Sequence, residues 1–209
     1  MMGKFLEVSN HSQFMAEMAK HTLTIKQDDG HYKHLVMAEA GEFENAFEVI
    51  AFPHHIMITG DMGTYCFSRT LDMMKWFIKD GDKAIASPQI ELHRWYSKLV
   101  STDSYLGAKK KSLTLAKQEV EQNRDFYINE YPDQASIINS AFDDLIDYAE
   151  MGVEMLLIEM YGFSFTIDGN EHQPFTDFEA DTVEAYVSQF AWCCYAINFA
   201  IGEYLQTQS

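Results

Sequence analysis

The chain has 209 residues, of which 47% are hydrophobic and 14% aromatic. This composition excludes an intrinsically disordered chain, which would be poor in aromatic side chains, and the length suits one large domain or two closely packed ones. The formal charge of −17 disfavours direct binding to nucleic acid or to an anionic membrane. It favours basic partners or simple solubility.

The first half of the chain has the alternating pattern of a β-sheet. Ser9 or Ser12 can cap a short helix over residues 11–20, after which the apolar residues recur at every second position. Glycine-containing turns at 28–30 and 60–63 separate the strand-like runs. The pattern predicts an antiparallel meander of four or five strands, buried on the face that carries Phe47, Val49 and Ala51. The five runs are 22–26, 31–39, 44–52, 55–59 and 64–68.

The period returns to that of a helix after the last of these runs. Leu71, Met74 and Phe77 fall on one helical stripe that ends at Asp80 and Gly81, and a second helix is predicted from Ser87 and Pro88 through Trp95 and Leu99. Residues 101–113 are polar and contain Gly107, so we expect a loop there. This loop divides the predicted domains, residues 1–107 and 108–209, which could also form one single domain.

The second half is predicted to be mostly helical, with helices over 116–130, 134–160 and 178–205 and a short extended insert at 162–168. The tract 190–201 is apolar on nearly all sides and indicates a central buried helix, since a membrane span needs about 20 apolar residues. The fold class is therefore α+β: an N-terminal antiparallel β-meander packed with helices, followed by an acidic helical half.

Three cysteines and the first ten residues indicate the compartment. Cys66, Cys193 and Cys194 do not have the spacing of a disulfide framework, and the N-terminus lacks the apolar core of a signal peptide. We therefore expect a protein of the reducing cytoplasm.

The charge is distributed very unevenly along the sequence. Residues 1–124 hold all 15 basic side chains against 16 acidic ones, whereas residues 125–209 hold 16 acidic side chains and no basic one. In the predicted helix over 134–160, carboxylates recur at steps of four, three and four residues, which places them on one face about 16 Å long. We call these four residues the acidic stripe: Asp143, Asp147, Glu150 and Glu154.

A second candidate is a ligand site around the turn at 60–63. An Asp on a tight turn near an Arg could orient a polar ligand or take part in acid–base chemistry. The alternative is that the glycines serve the turn and the Asp binds its own backbone. The candidate residues are Asp61, Tyr65, Arg69 and Asp72, with His54 or His55 supplying a proton.

The sequence offers no cofactor or metal signature. His31 with His34, and His54 with His55, are separated by odd offsets, which point side chains to opposite faces of a strand. No HExxH, CxxC, nucleophile elbow, P-loop or dinucleotide fingerprint is present. We expect no metal and no cofactor.

The chain carries the motifs GDMGTYCFSR at 60–69 and WCCYAI at 192–197, and they belong to a set of segments at 31–35, 52–55, 58–69, 72–73 and 192–197. Together these segments resemble a widespread family of uncharacterised phage and prophage accessory proteins. The resemblance implies a small cytoplasmic protein of the bacterial host cell, with no activity assigned. Asn198, Phe199 and Ala200 depart from the family pattern, which tends to have a tryptophan followed by glycine.

Three functions follow as hypotheses. The first is a counter-defence inhibitor that imitates the charge of nucleic acid and binds, through the acidic stripe, a basic host protein that handles nucleic acid or is an RNA-guided defence effector. The second is a small hydrolase-like enzyme that uses Asp61, Arg69 and Asp72. The third is a homo-oligomeric or ligand-binding protein with Trp192, Tyr195 and Phe199 at a subunit interface.

Overall fold

A computed structural model describes residues 11–77, 90–102 and 107–208. The chain forms two compact units, a sheet unit that contains residues 7–108 and 186–209 and a helical unit that contains residues 109–185. The helix at the end of the chain therefore belongs to the sheet unit, whereas the sequence pattern predicts it in one domain with the rest of residues 108–209. The predicted helix end at Asp80 and Gly81, and the start at Ser87 and Pro88, lie outside the described residues.

The sheet unit is built on a six-stranded antiparallel meander in which each strand pairs with the next along the chain. The α+β fold class is thereby confirmed. Burial alternates along β3 with Phe47, Val49 and Ala51 inside, as the period of two predicts. The strands are β1 (Thr22–Asp29), β2 (Tyr32–Ala38), β3 (Phe47–Phe52), β4 (His55–Gly60), β5 (Gly63–Ser68) and β6 (Leu99–Thr102).

One helix fills the buried face of this sheet. It runs from Ser188 to Thr207, and its residues Phe190, Cys194, Ile197 and Ile201 are fully buried. The prediction of a central apolar helix over 190–201 is confirmed for this unit. The shorter helices of the sheet unit are α1 (His11–Glu17), extended by a 3₁₀ turn at Met18–Lys20, α2 (Met73–Phe77) and α3 (Leu92–Tyr96).

The sixth strand corrects a predicted helix. The sequence pattern predicts a helix that continues through Leu99. In the structure α3 ends at Tyr96, and Leu99–Thr102 forms β6, which pairs with β5. Leu71, predicted on the buried stripe, precedes α2 and is 49% exposed, while Met73 is buried instead. The cause is the start of α2 at Met73, where Asp72 accepts a hydrogen bond from the Lys75 backbone N–H at 3.1 Å and caps the helix.

The helical unit packs around its own aromatic core, which includes Phe142, Phe165 and Phe175. Ile138, Phe142, Leu145 and Ala149 are buried, and Ile146 is half-buried. The helices are α4 (Leu113–Glu130), α5 (Ala135–Asp147) and α6 (Val153–Gly162), with 3₁₀ turns at Pro132–Gln134, Tyr148–Met151 and Ala180–Val183. Short strands β7 (Lys109–Lys111) and β10 (Glu184–Tyr186) pair, as do β8 (Phe165–Ile167) and β9 (Asn170–His172). The final helix of the chain, Ser188–Thr207, is α7.

The predicted helices over 134–160 and 178–205 are wrong as continuous elements. Gly152 has φ 109° and ψ 172°, a conformation outside any helix, and it separates the turn after α5 from α6. The segment before α7 forms a 3₁₀ turn and strand β10 instead of helix. Burial of Val183 and Ala185, two residues apart, accounts for the extended conformation there.

Gly152→Ala should destabilise the helical unit by about 1–3 kcal/mol, because the conformation at this position is essentially restricted to glycine. The obstacle is the backbone rather than space, since a Cβ here would approach only the Glu154 carboxylate, at 3.8 Å. The urea midpoint measures the loss. Gly162→Ala is the control, because its Cβ would meet nothing within 4 Å. Equal losses in the two variants would contradict the assignment.

Candidate functional site

The acidic stripe lies on two helices rather than one. Asp143 and Asp147 are on α5, Glu150 is in the following 3₁₀ turn, and Glu154 is in the first turn of α6. All four side chains are exposed. Because Gly152 interrupts the helix, the carboxylates do not form the straight row that the sequence predicted.

Two cations of the helical unit are already occupied by carboxylates. Residues 109–185 hold 17 acidic and 5 basic side chains. Lys111 pairs with Asp181 and Glu184, each at 3.1 Å, and Arg124 pairs with Glu121 and, at 2.8 Å, with Asp143. The pairing of Asp143 with Arg124 joins α5 to α4, and the spacing of the stripe along the sequence does not reveal it. In the described contacts, no Lys or Arg pairs with Asp147, Glu150 or Glu154.

The two α5 carboxylates of the stripe work against helix stability, whereas Glu154, in the first turn of α6, is favoured by the helix dipole. Asp144 and Asp147 lie in the last turn of α5, where the helix dipole is negative and a carboxylate costs about 0.3–1 kcal/mol. Asp143 and Asp147 are also like charges at a spacing of four residues, which adds a few tenths of a kcal/mol. These carboxylates destabilise α5, so their presence indicates a role other than helix stability.

Exposed apolar side chains accompany the stripe. Ile158 and Tyr161 lie one turn and two turns beyond Glu154, on the same face of α6, and are 62% and 58% exposed. Met151, between Glu150 and Gly152, is 71% exposed. We call Met151, Ile158 and Tyr161 the apolar patch. Aromatic and methionine side chains surrounded by polar residues are typical of protein-binding surfaces.

The four residues of the second candidate do not form one site. Asp61 lies at the β4–β5 turn and Arg69 follows the far end of β5, a separation of about 20 Å for a strand of this length. The Asp61 backbone N–H donates to Ala46 O at 3.2 Å, and its carboxylate accepts from the Asn45 backbone N–H at 3.3 Å. These contacts fix the loop between β2 and β3, so Asp61 has a structural role. The backbone group that its carboxylate binds belongs to Asn45, however, and not to its own turn as the alternative expected.

Tyr65 and Arg69 also serve local structure. Tyr65 is fully buried and donates its hydroxyl to Gly107 O at 2.8 Å. The guanidinium of Arg69 lies 5.7 Å from the centre of the Trp76 ring, which Arg94 approaches from 4.8 Å. Asp72, by contrast, lines a cavity.

That cavity lies at one end of the sheet unit, where the β1–β2 turn, the end of β3, α2 and the end of α7 meet. We call it the sheet-end cleft; its volume is about 230 Å³. Asp72 binds the Lys75 ammonium at 3.3 Å and lies 3.9 Å from the His31 ring. Buried residues Ala51, Met73 and Met74 contribute apolar walls.

A polar triad that the sequence did not predict borders this cleft. The Lys33 ammonium donates to the Asp28 carboxylate and, at 2.6 Å, to Gly30 O, and the Tyr204 hydroxyl donates to Asp28 at 2.9 Å. These hydrogen bonds, first from Lys33 and then from Tyr204, lower the pKa of Asp28. Burial alone would lower the pKa of Lys33, but the bond to Asp28 and the neighbouring charges hold it above its ordinary value.

The histidines and cysteines do not form a metal or redox centre. His34 contacts Glu48 at 2.8 Å, whereas His55 contacts Pro53 O at 3.1 Å and stacks on Phe52. Among the described residues, no three potential ligands come together around a metal position. All three cysteines are free thiols, and burial raises the pKa of the Cys193 and Cys194 thiols.

No family model matches this chain, and neither a curated protein nor a solved structure does. None of the helices in the described part of the chain combines the length and apolar character needed to cross a membrane.

Proposed function

We propose that the helical unit is a protein-binding module, whose acidic stripe and apolar patch bind a basic surface on another protein. The observation that carries this proposal is the exposure of Ile158 and Tyr161 on the helix face that begins with Glu154. Solubility alone would account for the carboxylates. The two apolar side chains on one helix face beside these carboxylates add apolar surface that can associate with another protein.

A basic surface of the required kind is found on proteins that bind nucleic acid, where Lys and Arg neutralise phosphates. The stripe would compete for such a surface through its charge, and the patch would add contacts that a nucleic acid does not make. The interruption at Gly152 means that the mimicry is of charge and not of regular phosphate spacing. The resemblance to phage accessory proteins adds that the partner is a host protein, and the proposed role is inhibition of a host nucleic-acid-binding or defence protein by contact.

The test is capture of partners from a bacterial lysate by the tagged chain, at low and at high salt, with mass spectrometry of the retained proteins. The wild type should retain a basic, nucleic-acid-binding protein in stoichiometric amount at low salt and lose it at high salt. Asp147→Asn combined with Glu150→Gln should reduce retention about fivefold to tenfold, since each rim charge contributes up to about 1 kcal/mol.

The control removes the same charge elsewhere in the helical unit. Glu171→Gln combined with Asp177→Asn changes two exposed carboxylates that lie outside the stripe, and it should retain the partner nearly as well as the wild type. Equal losses of the retained partner in both double variants would show that retention depends on net charge and not on the stripe. Absence of a stoichiometric partner at either salt would contradict the proposal.

A further inference from the structure

Lys33 lies on the face of β2 whose other residues, Leu35 and Met37, belong to the core. Lys33, Leu35 and Met37 alternate along one face of β2; Leu35 and Met37 are buried, and the Lys33 side chain is only 14% exposed. A charged residue on the buried face of a strand breaks the pattern that directs folding. Such departures are expected where a protein meets a functional demand.

A second departure lies at the same end of the sheet. His54 has φ 70°, the left-handed conformation that a side chain with a Cβ disfavours. Its backbone N–H donates to Leu71 O at 3.1 Å, and its carbonyl accepts from the Arg69 N–H at 3.2 Å. These two bonds fix the segment that carries Leu71 and Asp72 beside the sheet-end cleft. The strained residue thus positions one wall of the cavity.

The sheet-end cleft has apolar walls, and several of its polar lining residues can donate hydrogen bonds. Asp72 is already engaged by the Lys75 backbone N–H and by the Lys75 ammonium, and the His31 ring lies 3.9 Å from it. The Lys75 side chain is 83% exposed, so its ammonium keeps N–H groups available for a ligand. Lys33 lines the same cavity, but Asp28 balances its charge, so Lys75 is the lysine that a ligand can reach there.

We infer that the sheet-end cleft binds a small amphipathic carboxylate. The alkyl part of the ligand contacts Ala51, Met74 and Leu205, and its carboxylate accepts hydrogen bonds from Lys75 and His31. The cavity of about 230 Å³ lies below the usual range for drug-sized ligands, so the ligand has a short chain. This site belongs to the sheet unit and does not depend on the function proposed for the helical unit.

The test is a titration of the full chain with hexanoate, followed through the backbone amide signals in two-dimensional ¹H–¹⁵N spectra. Saturable shifts are expected at Gly30, Ala51 and Leu205, three residues that line the cleft. Hexanol has the same chain without the charge and should bind about fivefold more weakly, and hexylamine should bind more weakly still. Lys75→Gln should weaken hexanoate about threefold and leave hexanol unchanged.

Lys20→Gln is the matched control, because Lys20 is also an exposed lysine paired with a carboxylate, Glu39, and does not line the cleft. It should leave hexanoate binding unchanged. Absence of saturable shifts at millimolar hexanoate would overturn the site. Equal binding of hexanol, or an unchanged affinity in Lys75→Gln, would overturn the assignment of a carboxylate held by Lys75.

Discussion

Phe190→Ala is expected to lower the free energy of unfolding of the sheet unit by about 3–5 kcal/mol. Phe190 is fully buried, and its ring centre lies 5.3 Å from that of Tyr65 and 5.6 Å from that of Tyr186. Removal of the ring leaves a cavity between α7 and the sheet, because the surrounding strands cannot collapse into it. Urea denaturation followed by tryptophan fluorescence measures the loss.

The control for Phe190 is Phe43→Ala, which removes the same ring from the β2–β3 loop. Phe43 is 88% exposed, so its loss should change the free energy of unfolding by no more than about 0.5 kcal/mol. If the two variants unfolded at the same urea concentration, α7 would not be the core element of the sheet unit.

Gly60→Ala should cost about 2–3 kcal/mol, as expected for a forced contact in a packed region. A Cβ at Gly60 would lie 2.3 Å from the carbonyl oxygen of Ala46 and 2.9 Å from the Cβ of Phe47. Because the nearest atom belongs to the backbone, a side-chain rotation cannot relieve the clash, and the loop before β3 must move away. The chemical shifts of Ala46 and Asp61 should change together with the urea midpoint.

Gly162→Ala is again the appropriate control, since it adds the same methyl group where nothing lies within 4 Å. A Gly→Ala change at an accessible helical position is neutral or stabilises by up to about 1 kcal/mol. If Gly60→Ala unfolded at the same urea concentration as the wild type, the close approach of Gly60 to Ala46 and Phe47 would be contradicted.

The sheet unit was predictable where one period dominates the sequence. Phe47, Val49 and Ala51 alternate cleanly, and the tract around Ile197 has no polar face, so a covered sheet and a central helix follow from patterning alone. β6 was missed because Leu99–Thr102 is short and follows directly on the apolar spacing of α3. The break at Gly152 was missed because a single glycine inside a helical pattern is compatible with a continuous helix.

The candidate sites were harder to predict because the sequence does not give distances across the fold. Asp61 and Arg69 are close in the chain, yet an extended strand lies between them and separates them. Lys33 and Tyr204 are far apart in the chain, yet both bind Asp28. The available signal was the placement of Lys33 in the same alternating phase as Leu35 and Met37. A charged side chain at a core position indicates that it has a partner, but the sequence does not show that this partner is Asp28.

In the proposed function, the acidic stripe and the apolar patch bind one basic protein surface together. The most direct test is the affinity of the captured partner, over a series of salt concentrations, for the wild type, for Asp147→Asn with Glu150→Gln, and for Ile158→Ala. The stripe variant should bind more weakly at low salt, with a shallower salt dependence, and should approach the wild type at high salt. The patch variant should bind more weakly by a similar factor at every salt concentration. A stripe variant whose salt dependence runs parallel to that of the wild type, or a patch variant with unchanged affinity, would contradict the claim.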